Sequence, residues 1–180
     1  MKFFLEMKHW ELFLMIFLPT ALCLLFRIPF ERLVIASIAL FMMIVLQTWF
    51  FSIGYWANRR LPESRRSGTA LFIIGLTIPV IYLVMVIIIY FPMLSSSTPP
   101  PPPTWMLPMH MASMAGIFYG IWFSARKLKS LLENEDADFM IFSNTFFLMW
   151  IFPLGIWLIQ PDVNKLYYRL EQSPSQSNEG

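Results

Sequence analysis

A chain of 180 residues that is 57% hydrophobic and 13% charged departs from the roughly 45–50% and about 25% of an ordinary soluble domain. The excess sits in long apolar stretches separated by short charged or proline-rich breaks, which leaves no room beside them for a separate soluble domain. A formal charge of +2 is too small to point to nucleic acid, and one cysteine, Cys23, excludes both an intramolecular disulfide and a cysteine-based metal cluster.

The first apolar stretch, residues 10–26, follows Lys2 and Lys8 in the manner of a signal peptide. Arg27, Pro29, Glu31 and Arg32 come next without a small-x-small cleavage site, and Leu22 stands before Cys23 where a lipoprotein signal needs a small residue. This stretch is expected to remain as an uncleaved anchor. Further stretches follow at 33–56, 70–93, 105–124 and 139–159, most of them reaching the ~20 residues that carry a helix across ~30 Å of hydrocarbon. The expected fold is therefore all-α, a polytopic transmembrane helix bundle of five spans forming one domain over residues 1–172.

Charge threads the chain. Lys2, Lys8, Arg59, Arg60, Arg65, Arg66, Arg126, Lys127 and Lys129 fall on one side of five spans, against Arg27, Arg32, Lys165 and Arg169 on the other. The positive-inside rule then puts the amino terminus in the cytoplasm. The loop Ser95-Ser96-Ser97-Thr98 followed by Pro99 to Pro103 faces out, and its five prolines read as a stiff polyproline II connector rather than a docking site.

At the carboxyl end, Phe152-Pro153-Leu154-Gly155 interrupts the last stretch and Gln160-Pro161 is expected to stop it. Val163, Leu166, Tyr167 and Leu170 then share one helical face, which predicts an interfacial helix over 163–170 with Lys165 and Arg169 toward headgroups. The uncharged length of 139–159 favours a fifth full span with the tail outside, and the alternative is four spans plus a re-entrant segment that brings the tail back inside. Residues 173–180 are polar and expected to be disordered.

Ala112, Gly116, Gly120 and Ser124 recur every four residues, a small-residue stripe that lets backbones approach closely. It is expected to pack against another span, with homo-oligomerisation or a partner membrane protein as the alternative. Met106, His110 and Met114 have the same spacing and carry ligand types that Cu(I) accepts, though methionine is also a common apolar filler, and no cofactor is expected. Gln47, Thr48 and Ser52, with Ser143, Asn144 and Thr145, are the intramembrane polar groups. Interhelical hydrogen bonding is the plain reading of them, and a solute path through Gln47, Thr48, Ser52 and Asn144 the sharper one.

Glu6, His9 and Glu11 near one face are the only acid–base cluster a lipid-directed enzyme could use. Lacking a nucleophile–base pair, a carboxylate pair and a phosphate loop, the chain is expected to be a non-enzymatic structural, accessory or interaction component among membrane lipids, with a small channel or transporter subunit as the rival.

Lys8-His9-Trp10-Glu11-Leu12-Phe13, Arg60-Leu61-Pro62, Ile117-Phe118-Tyr119 and Ala125-Arg126-Lys127-Leu128-Lys129 accompany the string Phe152-Pro153-Leu154-Gly155-Ile156-Trp157-Leu158-Ile159-Gln160-Pro161, followed by Asn164-Lys165. Together they resemble a group of small uncharacterised bacterial multi-pass membrane proteins. The resemblance implies a bacterial inner-membrane setting and carries no activity, cofactor or site residue.

The charge asymmetry makes a direct prediction. Cysteines introduced singly as Ser64→Cys and Ser96→Cys are expected to react with a membrane-impermeant thiol reagent from opposite sides. Reaction of both from one side would end this threading.

Overall fold

The computed structural model describes residues 2–27, 31–93 and 101–172, and among them every regular element is helical. Ser95 to Pro100 of the expected spacer and the 173–180 tail lie outside the described residues, whereas Pro101 to Pro103 are irregular chain leading into a helix. The helices are α1 (Lys2–Glu6), α2 (His9–Leu25), α3 (Arg32–Arg60), α4 (Ala70–Met93), α5 (Met106–Glu133), α6 (Phe139–Trp150) and α7 (Phe152–Gln172). Two of them, α3 and α4, are long and apolar enough to cross a membrane.

By packing, the chain divides into one unit of Met1–Leu14, Ser52–Ser67 and Ile121–Gly180 and another of Met15–Phe51 and Gly68–Gly120. In the second unit α4 and α5 meet at glycines. A Cβ on Gly116 would collide with the carbonyl oxygen of Gly75, and one on Gly75 would lie 3.2 Å from the Gly116 carbonyl oxygen. One turn on, a Cβ on Gly120 would run into the Leu76 side chain. The seam is thus an internal one between two helices of the same chain. Its outer member is displaced, since Ala112 is exposed and Ser113 is buried in its place. Near its end, α4 widens into a π-turn over Val86–Tyr90, just ahead of Pro92, which has no N–H to return to the preceding turn.

The first unit departs most from expectation. The continuous span expected over 139–159 is broken: α6 ends at Trp150, and Ile151 takes φ −87° and ψ 61°, outside the helical region. Pro153 explains the break, because its ring would clash with the carbonyl four residues back and its nitrogen has no proton to give. As the 12 residues of α6 extend about 18 Å, they fall short of ~30 Å of hydrocarbon.

Beyond the break, α7 folds back antiparallel along α6, and Gly155 sits so tightly on Leu148 that a Cβ there would meet the Leu148 carbonyl. Nor does the expected stop at Gln160-Pro161 occur. Pro161 lies inside α7, and the expected helix over 163–170 is the second half of that helix, with Val163, Leu166 and Tyr167 buried. Likewise α5 runs on past residue 124 to Glu133, because Ala125 and Leu128 are buried on the face it presents.

The glycine crossing is testable by size alone. Gly116→Ala is expected to lower stability by about 1–3 kcal/mol through overpacking, and Gly116→Leu by more. Ile117→Leu should stay within about 0.5 kcal/mol of the parent. Equal melting of all three in detergent would show that α4 and α5 do not cross there.

Candidate functional site

Polar chemistry in the first unit gathers where α7 meets the amino terminus. Helix α1 stops at Glu6, so its last carbonyls have no partner further along the chain. Side-chain amides of α7 take them: Gln160 Nε2 donates to the carbonyls of Phe4 and Met7, each at 2.8 Å, and Asn164 Nδ2 to those of Leu5 at 2.6 Å and Met7 at 3.2 Å. Tyr167 completes the stripe by donating its hydroxyl to Glu6 Oε1 at 3.2 Å. Burial first, and then that bond, pushes the Tyr167 phenol above its ordinary pKa. Trp157, one turn before Gln160, packs on His9 and Phe13 at ring separations of 4.7 and 5.7 Å.

Each member of the acid–base cluster is therefore occupied structurally. Glu6 accepts from Tyr167, His9 lies against Trp157, and Glu11 Oε2 accepts the Lys8 backbone N–H at 2.9 Å.

A second network fixes the loop after α3. Asn58 bonds Ser67 through both ends of its amide, at 2.9 and 3.0 Å, and Lys127 Nζ donates to the Arg65 carbonyl at 2.7 Å. Lys127 is 3% exposed. Burial lowers its pKa first, the neighbouring Arg126 lowers it further, and Asp136 opposes them. Arg60 pairs with Glu171 of α7 at 2.5 Å, so the end of α7 lies beside the end of α3.

The residues of the expected solute path are not all brought together. Gln47 and Thr48 line a groove of about 340 Å³ between α3 and α4, together with Thr77 and Phe51. Thr48 and Thr77 turn their hydroxyls back to the carbonyls of Ile44 and Ile73, at 2.7 and 2.8 Å. Gln47 is 6% exposed, with its Nε2 on the Met43 sulfur at 3.5 Å and its Oε1 unpartnered. Ser52 lies one turn further along α3, fully buried with its hydroxyl unpartnered, while Asn144 lines a different cavity.

That cavity, of about 290 Å³, lies between α5, α6 and α7 and carries Lys129, Asn144, Thr145 and Asp162 on a wall that includes Leu128 and Leu148. The copper candidates are also divided. Met106 and His110 line a pocket of about 490 Å³ beside Tyr82, with the His110 and Tyr82 rings 5.6 Å apart, and Met114 is not part of that lining. Among the described residues no three of His, Cys, Asp and Glu cluster as a metal site.

No family model, curated protein or solved structure matches the chain.

Gln160, Asn164, Asn58 and Lys127 are the organising polar residues that sequence reasoning missed. Gln160 and Asn164 carried a signal, an i, i+4 amide pair on the face that continues to Tyr167, but their partners are backbone carbonyls that no side-chain pattern marks.

The buried lysine gives a signed prediction. Between its lowered value and the ordinary 10.5, the folded chain has released a proton that the unfolded chain keeps, so stability should rise with pH through that window. Below the window both states are protonated and the folded state bears the burial cost in full. Lys127→Met is expected to flatten the alkaline gain. Denaturation midpoints with the same slope in both proteins would show that Lys127 does not carry it.

Proposed function

We propose that this chain is an integral membrane protein acting as a non-enzymatic structural or interaction component, in a bacterial inner membrane and with a cytoplasmic amino terminus. The observation that carries the membrane reading is the exposure of its longest apolar helices. Only 28% of the apolar window is buried in α3, and the same in α4, whereas the core helix of a soluble domain is covered by its neighbours. Leu71, Ile74 and Ile88 are 68%, 52% and 67% exposed, a surface matched to lipid rather than to water.

The threading we favour is four spans followed by the re-entrant hairpin of α6 and α7. The Arg60–Glu171 pair supports it, because it ties the carboxyl end to the charged end of α3. The tail then joins the amino terminus and the Arg59 to Arg66 loop, and every lysine and arginine except Arg27 and Arg32 lies on one side. A non-catalytic role is supported by what Glu6, His9 and Glu11 are engaged in, and by the Thr48 and Thr77 hydroxyls being closed onto their own helix rather than turned to a path. The unpartnered Gln47 Oε1 and Ser52 hydroxyl are what a channel or carrier reading draws on.

Two measurements check this. The chain should stay in the pellet after alkaline carbonate washing of membranes, and release into the supernatant would refute integral insertion. A protease site appended after Gly180 should be cut only when the cytoplasmic face is open, and cutting from outside would restore the fifth full span.

A further inference from the structure

We propose that the cavity between α5, α6 and α7 holds the headgroup of an amino-phospholipid, a phosphodiester joined to a primary ammonium as in phosphatidylethanolamine. The inference rests on the membrane reading above. Lys129 and Asp162 both line this cavity of about 290 Å³, yet they form no ion pair with each other. Lys129 makes only a 3.4 Å contact with Glu133, one turn along its own helix, and Asp162 has no polar partner among the described residues. Asn144 and Thr145 are in the same position, and Thr145 is only 5% exposed.

Four polar groups thus line one space without satisfying one another, Thr145 buried, Lys129 half-buried, and Asn144 and Asp162 at the open side where a headgroup could enter. Two of them, Lys129 and Asp162, carry opposite charges and do not pair with each other, so the complementary ligand carries both signs at its two ends. Lys129 would take the phosphate as a point charge, Asp162 the ammonium, and Asn144 and Thr145 the ester and glycerol oxygens.

Size and depth agree with a headgroup. Small-ligand pockets begin at about 300 Å³, so this one takes a headgroup and not a whole lipid. Leu148 and Leu158 on its wall suit the glycerol and the first acyl carbons. Lys129 follows Arg126 and Lys127 on α5, in the charged stretch that belongs at the headgroup level. A primary ammonium offers Asp162 three N–H donors, which a choline headgroup lacks, and a glycerol headgroup brings no cation at all.

The test is native mass spectrometry of the full chain in mild detergent, titrated separately with dioleoyl phosphatidylethanolamine, phosphatidylcholine, phosphatidylglycerol and soluble glycerophosphoethanolamine. Phosphatidylethanolamine is expected to bind about tenfold more tightly than the other two lipids, the scale of one charge-assisted hydrogen bond. In Asp162→Asn that ratio should fall to about one, and Lys129→Met should weaken all three lipids. Asp162 is exposed and its carboxylate bonds to no described residue, so an unchanged melting curve verifies that the Asp162→Asn variant is folded.

Equal binding of the three lipids, or a ratio that survives Asp162→Asn, would overturn the site. Binding of the soluble headgroup as tightly as the lipid would overturn a lipid as its occupant. Carbonate extraction separates the two readings: a chain that stays in the membrane but shows no such preference overturns this inference alone.

Discussion

A backbone carbonyl withdrawn from water has to be given a donor, and the first unit is arranged around that requirement. Where α1 stops at Glu6, the carbonyls of Phe4 and Leu5 in the helix and of Met7 just beyond it need donors, and two amide side chains one turn apart on α7 take all three. Gln160 is completely buried there, which it can be because its donors are used. The arrangement depends on α7 coming back along α6, and so on the break at Ile151 and on Gly155 against Leu148. Pro153 and Gly155 therefore act at a distance: without the turn, Gln160 and Asn164 would have no carbonyls to meet.

The same requirement fixes the loop that follows α3. Asn58 uses its amide as a substitute peptide for Ser67, and Lys127 gives its ammonium to the Arg65 carbonyl. A buried ammonium on a neutral carbonyl is an incomplete solution, which is why its pKa falls. Polar groups thus hold the first unit in specific positions, while the second unit is held by close approach. There Gly75 and Gly116 let two backbones touch, and the Phe51 and Phe72 rings stack nearly parallel at 6.0 Å.

Two kinds of polar residue emerge. Thr48, Thr77 and Ser113 bond within their own helices and need nothing from outside. The side chains of Asn144, Thr145 and Asp162 bond to no described residue and share one cavity. In the sequence the two kinds look alike, since a threonine that bonds four residues back is spelled the same as one that lines a cavity.

What the sequence determined by itself is local. Hydropathy marks α3 and α4, whose length and apolar character depend on no neighbour, and glycines every fourth residue mark the α5 seam because only side-chain size decides how near two backbones come. It also marked the interruption at Pro153 and Gly155, since a missing proton and a missing Cβ are properties of the residues themselves. Tertiary structure decided the consequence. A proline inside an apolar stretch is compatible with a kinked span or with a reversal, and the outcome turns on whether the returning helix finds a surface that fits. Here it does: Gly155 admits Leu148, Trp157 meets His9, and Gln160 and Asn164 reach carbonyls more than 150 residues away. The same contacts carry α7 straight through Pro161, where one absent hydrogen bond is outweighed by the several that the surrounding turn makes with α1. Distances of that kind are invisible to periodicity, because a pattern records which face of a helix is apolar and never which distant backbone that face will meet.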